Sequence, residues 1–215
     1  MSQRICITGA SGYLGRALCR ELAGRSELLA LVRPGGAARV ARGMRAVELD
    51  VFNTGQLVAA LAAGDTVVHL IGTSHPNPSK AAEFERVDLA SVRACVKAAA
   101  GAGVAHFIYV SVAQPAPVMH AYVAARQEGE RAIAAASLTA TILRPWYVLG
   151  PGHRWPYLLL PLYGVASLLP GTRDTARRLG LVTLAQMTRA LARAVTDPPP
   201  AGTCRVLEVP EIRAA

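Results

Sequence analysis

A glycine-rich turn near the start of the chain constrains the fold more than any other feature. Arg4–Thr8 is a short apolar run of the buried-strand type, and the stretch from Tyr13 to Ala23 is amphipathic. Between them lies the segment Gly9-Ala10-Ser11-Gly12-Tyr13-Leu14-Gly15. A strand, such a turn and a helix in this order are typical of a βαβ unit that binds a dinucleotide. The three glycines would allow the tight turn, the approach of a pyrophosphate and the close packing of the helix.

Apolar strand-like runs and helical stretches alternate along the rest of the chain. Further strands are predicted at 28–32, 46–49, 66–71, 106–110, 139–143 and 204–209, and helices near 54–63, 79–100, 119–136 and 184–195. This alternation predicts an α/β fold with a doubly wound parallel sheet, the Rossmann fold. We expect one domain over residues 1–215, with a short C-terminal helical cap at 153–180 that covers a substrate site.

Composition and charge exclude several classes of protein. The net charge of +9 comes mainly from 21 arginines scattered along the chain, without the aromatic interleaving of a nucleic-acid surface, so no nucleic-acid partner is expected. Four widely separated cysteines form neither a disulfide framework nor a zinc-ligand spacing, so no metal site is expected. The first strand begins at Arg4 and leaves no room for a signal peptide, which predicts a cytoplasmic protein.

The apolar stretch Tyr157–Leu169 has several interpretations. It is shorter than the roughly 20 residues of a membrane-spanning helix and is punctuated by prolines, so we expect no transmembrane span. A buried or pocket-lining helix, an interfacial attachment and a dimer contact remain open.

The end of the second strand indicates which cofactor the turn would bind. NAD-specific sites usually place an acidic residue there, whereas this chain has Arg33 and no carboxylate between Arg33 and Glu48. The forked donors of Arg33 can pair with a 2′-phosphate, with help from Arg39 or Arg42. NADP(H) is therefore favoured over NAD(H); the alternative is that Arg33 is a solvated charge.

Five segments in a fixed order resemble the extended and atypical branches of the short-chain dehydrogenase/reductase superfamily. They are Thr8–Gly15, Leu49-Asp50-Val51, His69-Leu70-Ile71-Gly72-Thr73, Tyr109-Val110-Ser111 and Arg144-Pro145-Trp146-Tyr147-Val148-Leu149-Gly150-Pro151-Gly152. The resemblance implies a cofactor site formed by Gly9, Ser11, Gly12, Tyr13, Leu14, Arg33, Asp50, Val51, Ile71, Gly72, Thr73, Arg126, Pro145, Trp146 and Val148.

The resemblance also implies a catalytic set that departs from the family pattern. Active members use a Ser or Thr, a Tyr acid/base, and a Lys four residues after that Tyr. The matching residues are Ser111, Tyr122 and Arg126, so an arginine replaces the lysine. Asp88 stands where extended members usually carry an Asn, and we expect it to form a compensating ion pair with Arg126. His120 is an alternative proton carrier.

Two functions follow from this resemblance. The leading one is an NADP(H)-dependent oxidoreductase acting on a small molecule, with Tyr122 exchanging the proton, Ser111 orienting the oxygen and Arg126 holding the ribose. The alternative is a non-catalytic NADP(H)-binding redox sensor or accessory subunit, suggested by the replaced lysine. The long helices near 80–100 and 120–136 would support a homodimer, as is common in the family.

Overall fold

The strands of this computed structural model, which describes residues 4–41, 43–151 and 178–215, form two parallel sheets. In chain order they are β1 (Arg4–Thr8), β2 (Glu27–Val32), β3 (Arg45–Glu48), β4 (Thr66–His69), β5 (His106–Val110), β6 (Ala140–Leu143), β7 (Tyr147–Leu149), β8 (Leu181–Thr183) and β9 (Cys204–Leu207). The main sheet has seven strands in the order β3-β2-β1-β4-β5-β6-β9, and β7 pairs with β8. All the main-sheet pairings are parallel, which confirms the predicted Rossmann-type sheet.

Helices cover both faces of the main sheet. They are α1 (Tyr13–Leu22), α2 (Thr54–Ala60), α3 (Ala81–Glu83), a π-helical segment (Phe84–Leu89), α4 (Ala90–Ala102), α5 (His120–Ala135), α6 (Leu184–Thr196) and α7 (Val209–Ala214). Local signals set several ends: Thr183 and Gln186 form a capping box for α6, and Gly103 closes α4 in the left-handed region at φ +68°.

The core lies in two layers, one on each face of the sheet. One layer packs α2, α4 and α5 on alternate strand residues such as Cys6, Val67 and Phe107. The other packs α1, α6 and α7 on the intervening residues such as Ile7 and Val68. Because successive strand residues face opposite sides, each inner strand needs an unbroken apolar run.

The strand order changes direction at β1, which lies between β2 and β4. The chain connects β1 to β2 on one side and continues to β4 on the other side of β1. A crevice therefore opens at the carboxyl ends of β1 and β4. Residues at the ends of β1, β4 and β5 therefore face one site.

Several details differ from the sequence predictions. The fourth strand ends at His69 rather than 71, and the helix predicted over 79–100 contains the π-helical segment. The short ladder of β7 with β8 and the helix α7 were not predicted. Tyr157–Leu169 and most of the 153–180 cap lie outside the described residues. Within the described ranges, none of the helices is both long and apolar enough to cross a bilayer.

Candidate cofactor and active site

The glycine turn after β1 is shaped by the absence of side chains. Gly9 has φ +73°, a conformation that L side chains rarely adopt, and its carbonyl accepts the Gly12 N–H at 2.9 Å. A β-carbon on Gly15 would lie 2.7 Å from Ala10 Cα. Gly15 therefore lets α1 start directly against the backbone of the turn.

The N-terminus of α1 is open to an anionic group. The N-cap residue Gly12 offers no side-chain hydrogen bond, and the first turn of this fully described helix contains no acidic residue. Its first N–H groups and the positive end of its dipole face the crevice. The arrangement fits the diphosphate of a dinucleotide.

A cavity of about 340 Å³ runs from this turn to the start of α5. Its wall comprises Gly9, Gly12, Tyr13, Leu14, Gly15, Leu70, Ile71, Gly72, Thr73, Ser74, His75, Pro76, Val110, Ser111, Val112, Tyr122, Arg126, Pro145, Trp146 and Val148. The three predicted catalytic residues and most of the predicted cofactor residues thus surround one space.

Four of the predicted cofactor residues lie outside this wall. They are Ser11, Arg33, Asp50 and Val51. The carbonyl of Ser11 accepts a hydrogen bond from Arg16 Nη1 at 2.6 Å. Asp50 is exposed, and its carboxylate accepts the N–H of Phe52 at 3.0 Å. These residues stay predictions for the adenosine end of the cofactor.

The loop after β2, which carries Arg33, is tied to the end of β3. Glu48 Oε1 accepts the N–H of Ala37 at 3.1 Å. The backbone N–H groups of Gly35 and Ala37 hold the pKa of Glu48 below its ordinary value. A negative charge therefore sits on the loop where Arg33 was expected to bind a phosphate.

Arg126 is buried in the wall of the cavity and is held by its neighbours. Its Nη2 donates to Asp88 Oδ1 at 2.6 Å, so the expected ion pair forms. Its Nη1 donates to the carbonyl of Val110 at 2.9 Å, and its Nε has no hydrogen-bond partner among the described residues. The guanidinium carbon lies 5.7 Å from the Tyr109 ring centroid and 5.2 Å from that of Tyr122.

These contacts keep Arg126 charged. Burial by itself opposes the charged form, but Tyr122, Tyr109 and Asp88 together raise the pKa of the guanidinium above its ordinary value. A group that stays protonated supplies positive charge beside Tyr122 but cannot pass a proton.

Asp88 lies on the π-helical segment and joins three elements. Its Oδ2 accepts both the N–H and the hydroxyl of Thr73, at 2.9 and 2.6 Å. The carboxylate, whose side chain has no exposed surface, thus connects the end of β4 with α5 through Arg126. π-Helical turns often occur at functional sites because they reposition a single side chain.

His69, at the end of β4, is buried in the core and has a polar neighbour at each ring nitrogen. Its Nδ1 lies 3.0 Å from Thr8 Oγ1, and its Nε2 lies 3.3 Å from Ser91 Oγ. Burial, assisted by the charge of Arg126, lowers its pKa to about 3. The ring is therefore neutral and serves structure rather than proton transfer.

Ser111 lines the cavity, yet its hydroxyl is directed to a carboxylate on α5. Its Oγ donates to Glu130 Oε1 at 2.5 Å. Arg144 contacts the same carboxylate through Nε at 3.0 Å and Nη2 at 2.5 Å. Glu130 was not predicted from the sequence, because it stands among the polar residues Gln127, Glu128 and Arg131 and nothing in the pattern distinguishes it.

Tyr122 stands at the mouth of the cavity, half-buried. Its ring lies 5.0 Å from that of Phe84, centroid to centroid. The ring therefore has an apolar neighbour in Phe84 and a cationic neighbour in Arg126. His120, the alternative proton carrier, is exposed and does not line the cavity.

The sequence interpretation missed several residues of the wall. They are Leu70, Ser74, Pro76, Val110 and Val112, each within three positions of a predicted residue in the chain. Among the described residues no group of His, Cys, Asp and Glu could hold a metal ion. Burial raises the pKa of Cys6 and of Cys95 to about 12, so these thiols are unreactive.

Comparison with known proteins supports this interpretation of the fold and the turn. A family profile described as NAD(P)H-binding matches residues 9–154. A ceramide reductase of Caulobacter vibrioides is 32% identical over 181 residues, which cover 80% of this chain and 55% of that protein. The chain therefore spans about half the length of this curated relative.

Solved structures show the same fold at low sequence identity. The Bordetella bronchiseptica enzyme WbmH in complex with NAD+ aligns with a TM-score of 0.69 and 17% identity, over 97% of this chain and 75% of WbmH. A short-chain dehydrogenase/reductase superfamily protein from Agrobacterium tumefaciens with bound NAD has a TM-score of 0.66 and 19% identity, over 99% and 82% of the two chains. The family profile thus shows the NAD(P)H-binding family, and the solved structures show the predicted fold.

Proposed function

Since the chain belongs to the NAD(P)H-binding family, we propose that it is an NADP(H)-dependent oxidoreductase that acts on a small molecule. The observation that carries the proposal is the continuous wall from Gly12 at the open N-terminus of α1 to Tyr122 and Arg126. One end fits a diphosphate, and the other holds a tyrosine beside a permanent cation.

Different parts of this wall would bind different parts of the cofactor. The glycine turn and the N–H groups of α1 would hold the diphosphate. Ile71, Gly72 and Thr73 would lie along the middle of the cofactor, and Pro145, Trp146 and Val148 along the nicotinamide. NADPH, when bound, supplies a hydride from its nicotinamide ring.

Tyr122 would exchange the proton with the substrate oxygen. The guanidinium of Arg126, 5.2 Å from the ring centroid, places a permanent positive charge beside this tyrosine. Asp88 and Val110 accept two of the five N–H donors of Arg126, so the guanidinium would keep donors for a ribose hydroxyl as well.

The preference for NADP(H) over NAD(H) rests on Arg33. It is exposed at the end of β2, beside the loop that Glu48 holds. Titrations of the chain with NADPH and NADH should show tighter NADPH binding, and Arg33→Ala should weaken NADPH binding by about tenfold or more without changing NADH binding. Arg25→Ala, an exposed arginine at the far end of β2, is the matched control. Equal affinities in wild type would overturn the preference.

Catalysis is tested by following NADPH oxidation with a panel of aldehydes and ketones. Tyr122→Phe should reduce turnover by about a hundredfold or more while leaving the NADPH dissociation constant unchanged. The same turnover in both proteins would exclude Tyr122 as the proton carrier.

A second function, non-catalytic NADP(H) binding, is favoured by one observation. The hydroxyl of Ser111 is already donated to Glu130. It therefore cannot donate to a substrate oxygen in this arrangement. Tight NADPH binding without turnover of any carbonyl compound would select this alternative. The cytoplasmic location, the homodimer, the single domain and the lack of a nucleic-acid partner stay predictions from the sequence.

A further inference from the structure

Four polar side chains form a network beside the cavity, at the ends of three neighbouring strands. Ser111 follows β5, Arg144 follows β6 and Glu208 follows β9, while Glu130 lies on α5. Arg144 Nη1 donates to Glu208 Oε1 at 2.8 Å, and the opposite side of the guanidinium donates to Glu130. The Glu130 side chain is 12% exposed.

This network fixes the direction of one hydroxyl. Glu130 is held from three sides: by Arg144, by Gln114 Nε2 at 2.9 Å and by Ser111 Oγ at 2.5 Å. An ionised carboxylate has no proton to give, so Ser111 must be the donor in their contact. A hydroxyl has one proton, and in Ser111 it points to Glu130.

Toward a ligand in the cavity, Ser111 therefore presents only the lone pairs of its hydroxyl oxygen. It can accept a hydrogen bond, but it cannot donate one to a carbonyl oxygen. The nearby negative charge of Glu130 also disfavours a bare oxygen acceptor at this point, because two acceptors facing each other leave one unpaired.

We propose that Glu130 is a positioning residue that makes Ser111 a hydrogen-bond acceptor. The substrate then carries a hydroxyl or N–H group next to its reacting carbon, and this group donates to Ser111. The inference rests on the proposed oxidoreductase function and names the substrate class for it.

Two isosteric ketones test the substrate class. The two compounds are hydroxyacetone and butanone. On the CH2 group next to the carbonyl, hydroxyacetone carries a hydroxyl where butanone carries a methyl group. With NADPH, wild type should show a kcat/KM for hydroxyacetone about tenfold higher than for butanone, the effect of one hydrogen bond. Because the ratio compares two substrates on one preparation, loss of folded protein does not change it.

Three variants test the role of Glu130. Glu130→Ala frees the Ser111 hydroxyl to donate, and it should reduce the ratio to about one. Ser111→Ala should do the same, and the double variant should lose no more than Ser111→Ala alone. Glu128→Ala, on the same helix but at the surface with Arg93 and Arg131, should keep the wild-type ratio. A ratio that is the same in wild type and in Glu130→Ala would overturn the proposal.

A second measurement does not depend on turnover. In protein labelled with ¹³C at glutamate carboxyls, the chemical shift of the Glu130 carboxyl at neutral pH should differ between wild type and Ser111→Ala, because the hydrogen bond from Ser111 is lost. An unchanged chemical shift would overturn the positioning role. If wild type oxidises NADPH with neither ketone but the chemical shift changes, the oxidoreductase function and its substrate class fail while the contact of Glu130 with Ser111 stands.

Discussion

The guanidinium of Arg126 occupies the space that a side chain on Gly72 would need. A β-carbon built on Gly72 would collide with Arg126 Nη2 and would lie 3.1 Å from Asp88 Oδ1. The ion pair of Asp88 with Arg126 and the absence of a side chain at residue 72 are therefore parts of one arrangement. The position of the Arg126 guanidinium therefore depends on that glycine.

Gly72→Ala should destabilise the protein because Arg126 must move away from Asp88. The expected loss in the free energy of unfolding is about 1–3 kcal/mol, typical of overpacking a buried site. Urea unfolding measures it. Gly101→Ala is the control: its β-carbon would meet Val58 Cγ2 at 3.8 Å, an ordinary contact, and in the last turn of α4 it should be neutral or stabilising. Equal effects of the two substitutions would contradict the steric argument.

The buried pair should behave as a coupled unit. Asp88→Asn leaves the charge of Arg126 without its partner and should cost about 3 kcal/mol or more. In an Arg126→Met background the same substitution should cost far less, since no buried cation remains. The double-mutant cycle is measured by denaturant unfolding, with the exposed Arg93–Glu128 pair at 3.6 Å as comparison. A coupling for the buried pair as small as that of a surface pair, below about 1 kcal/mol, would rule out this account.

Glu48→Gln should strengthen NADPH binding. The carboxylate places a negative charge on the loop beside Arg33, and the amide keeps an oxygen for the Ala37 N–H. We expect about two- to fivefold tighter NADPH binding at low salt, little change for NADH, and a smaller effect at high salt because exposed charges are screened. Glu27→Gln, an exposed carboxylate at the opposite end of β2, is the control. An equal gain for NADH would show that the 2′-phosphate is not involved.

Two buried histidines should make the protein sensitive to acid. Burial lowers the pKa of His69 to about 3 and that of His106 to about 4, from an ordinary value of 6.5. Between pH 6.5 and 4 the unfolded chain gains a proton at each ring and the folded chain does not. The free energy of unfolding should therefore decrease as the pH is lowered, by up to about 1.4 kcal/mol per pH unit for each histidine.

Urea unfolding at several values of pH measures this slope. His106→Asn should make the slope shallower than in wild type, because one of the two titrations is removed. His120→Asn, at an exposed position, should leave it unchanged. The interpretation fails if His106→Asn and wild type lose stability equally between pH 6.5 and 5.

The sheet and the turn could be predicted because their signals are local. β1 and α1 are specified by residues within one segment, and Gly9 and Gly15 have the positions that their spacing indicates. The pairing of β7 with β8 could not be predicted, since each strand has three residues and the partners lie far apart in the chain. The π-helical segment is equally invisible, because its apolar spacing is close to that of an α-helix.

In the candidate site, the residues marked by the family pattern could be predicted, but their long-range contacts could not. Asp88 and Arg126 could be paired because both depart from one family pattern. Glu130 could not be assigned to Ser111, because their contact depends on the rotation of α5 about its axis and on Arg144, which arrives from another strand. Long-range contacts of this kind decide which atom donates, and a sequence pattern does not contain them.

The strand order of the main sheet also sets when each strand edge can find its partner during synthesis. β1 pairs with β2 on one side, but its other neighbour is β4, so that edge stays open until residues 66–69 have left the ribosome. β9 joins β6 later still, at residues 204–207. A nascent chain paused before β4 would expose an apolar strand edge to other chains, and chaperone binding there would protect it.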